Sequence, residues 1–320
     1  MVVLACRLAT LAALAIPIQA TACINTFDSM IVMAVREGNH QEVAKIIARL
    51  ESDFAKDASL EHSNDLAVAR LLTGRYDDSI ALLKATERRF PGMAIVAANL
   101  GTAFELNGND GEALRWIREG VRRDPKEHAG SEWLHVRILE GKRALAKNSH
   151  WLETNTILGV DFGSELTPRA SGPMPADATG APRSLRDVET SVDYQLRERT
   201  KFVKPPDPVI ADLYAAQGDI EFAHADAGHY DISGAAAGDL YKDALRYGAI
   251  RGDLVSRRLA AVDKLFRDNE QKTPTPLVQP HPPLVDGSAS DFPLWWVVAG
   301  VTIGIAGAWI ARRRSRIRKP

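Results

Sequence analysis

The densest collection of residues able to do chemistry is the run from His224 to Asp231 (His-Ala-Asp-Ala-Gly-His-Tyr-Asp), with two imidazoles and two carboxylates. Donors of these types bind divalent cations. On a helix, however, the i, i+5 pair His224 and His229 does not share a face, and Gly228 marks a turn, so the run reads as a solvated loop between helices. His128, His135 and His150 are spaced too irregularly for a ligand cluster. The chain holds no Walker loop, no G-x-S-x-G and no H-E-x-x-H. Of its cysteines, Cys6 lies in a leader and Cys23 close behind it, which leaves no thiol nucleophile in the body and no intramolecular disulfide. The expectation is a protein that is not an enzyme, with no catalytic residue, no metal ligand set and no cofactor.

The two ends say where the chain works. Arg7, an apolar run from Leu8 to Ile18 and the small residues Ala20-Thr21-Ala22 form a signal peptide over 1–22. The apolar run is about half the roughly 20 residues a membrane-spanning helix needs. Cleavage near Ala20 or Ala22 and lipidation of Cys23 as the first mature residue both stay open. Residues 293–311 (PLWWVVAGVTIGIAGAWIA) carry no charge, are flanked by Trp295, Trp296 and Trp309, and run into six cations in 312–320. That pattern describes a transmembrane helix with its basic tail in the cytoplasm and the bulk of the chain on the periplasmic or extracellular side. Gly300, Gly304 and Ala308 recur every four residues, a small-residue face that would permit dimerisation in the bilayer. With −1 for the whole chain, +6 in the tail and +1 in the leader, Cys23 to Phe292 carries −8. No basic stripe is present to neutralise phosphates, so nucleic acid is not an expected partner.

Between the ends, residues recur at a spacing of 34: Leu66 and Leu100, Gly74 and Gly108, Ser79 and Ala113, Leu83 and Ile117, Pro91 and Pro125. This period belongs to helix-turn-helix repeats. The second copy (Leu100-Gly101, Phe104, Gly108, Ala113, Ile117, Pro125) resembles the tetratricopeptide (TPR) family. The first copy keeps Leu66, Ala67, Gly74, Ser79, Leu83 and Pro91, with Arg70 where that family prefers an aromatic residue. The expected fold is therefore all-α: a TPR-like helical-hairpin solenoid over 23–150, clearest in 60–93 and 94–127. An irregular linker or surface excursion covers 151–184, and a second helical, TPR-like region covers 185–270. A Pro-rich stalk over 271–292 then leads to the span.

The resemblance implies a groove lined by the first helix of each pair, which binds other proteins or peptides. On this sequence the inward positions are Asn64, Asn99, Thr102 and Glu105, together with Glu61, Val68, Leu71, Ile95 and Ala98. An asparagine such as Asn99 can pair with a ligand's main chain, whereas Val68, Leu71 and Ala98 suit packing against a neighbouring helix equally well. The family's Lys and Arg carboxylate clamp is absent at these positions. The leading expectation is a membrane-anchored scaffold for protein–protein interaction. Two others compete with it: a surface protein whose apolar, Arg-rich tail is a processed sorting signal, and a metal-binding or enzymatic module within 151–267. Intact mass of the mature protein separates the first two. A permanent anchor retains 293–320, and loss of everything after about Pro293 would overturn it.

Overall fold

The computed structural model describes residues 24–201, 203–226 and 230–272. The expected signal peptide, Cys23, His229, the expected stalk beyond Lys272, the expected span with Gly300, Gly304 and Ala308, and the basic residues of 312–320 lie outside the described residues. No helix among those described is long and apolar enough to cross a membrane.

The described chain is all-α. Its helices are α1 (Met30–Arg36), α2 (His40–Lys56), α3 (Leu60–Leu72), α4 (Tyr76–Arg89), α5 (Ala94–Leu106), α6 (Asp110–Arg123), α7 (Glu127–Gly130), α8 (Glu132–Lys147), α9 (Trp151–Thr154), α10 (Leu185–Arg199), α11 (Pro208–Asp226), α12 (Tyr230–Arg246) and α13 (Gly252–Lys272). Only two isolated antiparallel bridges, Asp161 with Ser171 and Ala176 with Pro182, interrupt the helical pattern among the described residues.

Each bound of α3 and α4 recurs 34 residues later in α5 and α6. The turns inside the hairpins repeat as well. Gly38, Gly74 and Gly108 adopt φ of 67°, 77° and 76°. In each case the glycine N–H donates to the carbonyl three residues back, and the next N–H to the carbonyl five back. This is the left-handed stop that a Cβ disfavours. Gly248 (φ 87°) makes the same turn between α12 and α13, with Gly248 donating to Leu245 and Ala249 to Ala244. Asn39 and Asn109 then start the following helices by accepting from the amides of Glu42 and Glu112.

Packing follows from small residues at the crossings. Ser79 Oγ donates to the Ala67 carbonyl at 2.8 Å, which ties α4 to α3. Gly101 lets α5 approach α6, since a Cβ there would overlap the Ile117 side chain and lie 3.0 Å from its backbone nitrogen. Leu66, Leu71, Leu83, Leu100 and Ile117 fill the core of this half without exposure.

The second half departs from expectation in two places. The stretch after α9 is irregular, but its beginning is part of the core: Ile157, Leu158, Val160 and Phe162 are buried with α8, α10 and α11, while 163–184 is mostly exposed. Buried polar groups hold it there. Asp212 accepts the Ile157 amide at 2.7 Å, and Arg258 donates to the carbonyls of Phe162, Gly163 and Glu165 while pairing with Asp219 at 2.6 Å. Tyr241 donates to the other Asp219 oxygen at 2.7 Å. The second departure is α11. It is capped by Asp207, which accepts from Ile210, and begins at Pro208, but it continues to Asp226 and so carries His224 on a helix rather than in a loop.

Replacement of Gly101 by Ala improves helix propensity by about 1 kcal/mol but overpacks the α5–α6 crossing. Overpacking costs about 1–3 kcal/mol, so the expected net effect after the propensity gain is a destabilisation of up to about 2 kcal/mol. It should appear as a lower urea midpoint with an unchanged slope.

Candidate functional site: a polar inner face on α3, α5 and α8

Two other segments of the chain lie against the polar face shared by α3, α5 and α8. The first is the irregular stretch before α1. Asn99 Oδ1 accepts the Asn25 amide at 3.0 Å, and Asn99 Nδ2 donates to the Asn25 carbonyl at 2.7 Å. Asn64 Nδ2 donates to the same carbonyl at 3.0 Å, and its own oxygen accepts from Asn99 Nδ2 at 2.8 Å. Asp65 completes the grip. One of its oxygens accepts from Thr26 Oγ1 and the Phe27 amide, at 2.8 and 2.9 Å, and the other from the Asp28 amide at 2.8 Å.

Five of these bonds go to main-chain amides or to the one carbonyl of Asn25, and the helices supply the side chains. Those five contacts depend on backbone rather than on the side chains of the bound segment. Side-chain contacts add to it: Asn25 Nδ2 donates to Glu127 at 2.9 Å, and Asp28 pairs with Arg49. Arg49 and the Met30 amide hold the Asp28 carboxyl below its ordinary range.

The second occupant is α10. Arg199, 2 % exposed, donates to both oxygens of Glu105, at 2.8 and 3.4 Å. His135 Nε2 lies 2.7 Å from Glu105 and Lys142 Nζ 3.2 Å from it. Burial pushes the Glu105 carboxyl up, but Arg199, His135 and Lys142 outweigh that and hold it well below the usual carboxylate range. Beyond it, Glu132 lies 2.7 Å from His128 and 3.4 Å from His135; burial opposes its charge, and the two imidazoles again bring its pKa below the ordinary value. Gln195 donates to Ser131 and accepts from Arg199, and Trp133 donates to Ser191.

The inward residues expected from the sequence therefore take different roles. Asn64 and Asn99 hold the Asn25 main chain, Glu105 is the anion beneath α10, and Thr102 is fully buried between them in the sequence of α5. Val68, Leu71 and Ala98 are buried packing residues. Sequence reasoning missed Asp65, although it stands 34 residues before Asn99, so the repeat itself marks the two as equivalent positions. It also missed Asn25, whose segment has no periodicity, and Arg199, whose role depends on a fold between distant helices.

His128 and Ala129 adopt φ of 50° and 57°, followed by Gly130 at 74°. Left-handed backbone at non-glycine residues is costly. The turn sets His128 against Glu132, with its ring 5.9 Å from that of Tyr194.

No protein-family model matches the chain, and no match to it was found among curated proteins.

Glu127, which accepts from Asn25, is pushed up to about 6 by burial, with Glu132 and Asp124 adding to the rise and His128 opposing it. The folded state thus binds this proton more tightly than the unfolded chain, with its ordinary value of 4.5. Its linkage makes the fold less stable as pH rises from 4.5 through 6. Glu127→Gln keeps an acceptor for Asn25 and removes the titration. The variant should match wild type near pH 4.5 and exceed it by about 1 kcal/mol above pH 7, after allowance for solvent screening. Urea midpoints at the two pH values check this.

Proposed function

We propose that the chain is an extracytoplasmic TPR-type scaffold, anchored by 293–311, whose inner face binds extended peptide backbone from partner proteins. The observation that carries this reading is the grip of Asn64, Asp65 and Asn99 on the main chain of Asn25 to Asp28. Side-chain amides and carboxylates that bind backbone give affinity with little sequence preference, the chemistry an adaptable recruiter needs. The recurrence of α3–α4 as α5–α6 after 34 residues, with the same glycine turn, supports a repeat array. The acidic balance of Cys23 to Phe292 favours protein partners over nucleic acid.

On this reading, residues 25–28 hold the site until a partner's backbone replaces them. Weakening the occupant and weakening the site should then act in opposite directions. Asn25→Ala with Thr26→Ala removes the side-chain bonds from Asn25 to Glu127 and from Thr26 to Asp65 but leaves the inner face intact, and should raise crosslinked partner in the native membrane. Asn64→Ala with Asn99→Ala should lower it. Quantitative mass spectrometry of the captured species, with circular dichroism to confirm folding, provides the check. Equal capture by both variants and wild type would overturn the proposal.

A further inference from the structure

A second cluster lies on the other side of α10, away from the residues already described. Glu221 and His224 stand at i and i+3 on α11, which places them on one face. Glu189, on α10, meets them. One oxygen of each carboxylate and one imidazole nitrogen lie within 4.8 Å of one another, and all three side chains are half-buried. None of the three makes a hydrogen bond or ion pair with another described residue. They border an open cavity of about 560 Å³ together with Arg186, Thr190, Asp193 and Gln217.

We propose that Glu189, Glu221 and His224 form a binding site for a zinc-class divalent cation that bridges α10 and α11. Imidazole nitrogen and carboxylate oxygen are both zinc ligands, and three of them leave the fourth tetrahedral position to water. Nitrogen and oxygen ligands at about 2.0–2.2 Å from the metal stand about 3.3 Å apart in a tetrahedral site. From at most 4.8 Å, reaching that spacing means closing by up to about 1.5 Å, within reach of side-chain rotation. The imidazole favours zinc and its first-row neighbours over calcium and magnesium, which take oxygen ligands.

The electrostatics agree. Burial and the facing Glu221 push the Glu189 carboxyl above its ordinary value; Asp193 adds to the rise, while His224 and Arg186 oppose it. Two carboxylates and one imidazole are held within 4.8 Å of one another, and a divalent ion would relieve the repulsion between the carboxylates. The open cavity gives the ion a route in and leaves room for water or a small anionic ligand on its free side.

The test uses the full-length chain in detergent, stripped with a chelator and exchanged into metal-free buffer. Titration with CoCl2, followed by visible d–d absorption, and with ZnCl2, followed by calorimetry, should each give one equivalent bound, with zinc displacing cobalt. His224→Ala, Glu221→Gln and Glu189→Gln should each weaken binding by about tenfold or more. His62→Ala, whose ring contacts the Asp57 carbonyl, should leave it unchanged. Far-UV circular dichroism of the metal-free variants should match wild type. A folded wild type that binds neither ion, or variants that bind both as wild type does, would overturn the proposal.

Discussion

The buried carboxylate of Glu105 is the constraint on which the arrangement of the described chain depends. It sits on α5, inside the first half, yet the guanidinium beside it comes from Arg199 at the end of α10. A charge taken out of water is tolerated only where partners satisfy it, and removing one partner of a buried pair typically costs about 3–5 kcal/mol. Glu105 therefore specifies a position for α10 that apolar packing alone would leave free to slide. Lys142 extends the demand, since it is shared between Glu105 and Asp110 and so joins α8 to α5 and α6. The second half uses the same device at Asp219, where Arg258 and Tyr241 converge; burial lifts that carboxyl to about 6 against their opposition.

What the sequence made legible, and what it did not, follows from periodicity. The all-α character and the 34-residue recurrence are written in amphipathic helices and left-handed glycines, both local signals. Helix α11 is different. Val209, Ile210, Ala211, Leu213, Ile220, Phe222 and Ala225 are all buried, so it has no single apolar stripe to announce its length. Gly218, which looks like a breaker, is there because the Tyr241 ring of α12 lies where a Cβ would be. The core role of Ile157 to Phe162 was hidden for a related reason: its backbone groups bond to Asp212 and Arg258, partners 55 and 96 residues away, and no local pattern records such pairings.

At the polar inner face, residue type was readable and occupancy was not. Asparagines on α3 and α5 announce an ability to bind backbone, but nothing in Asn25 to Asp28 announces that this segment is the backbone bound. The same limit applied to His224. Read along the chain, its neighbours were Asp226 and His229; in the fold they are Glu221, one turn earlier, and Glu189 on another helix.

The irregular segment before α1 has one consequence for dynamics. The amides of Asn25, Phe27 and Asp28 belong to no helix, yet each donates to a side chain of the inner face. Such hydrogens exchange with solvent only when the segment lifts away. Their protection is therefore a direct measure of the opening equilibrium: three amides outside regular structure report, in the resting protein, the fraction of molecules whose inner face is bare.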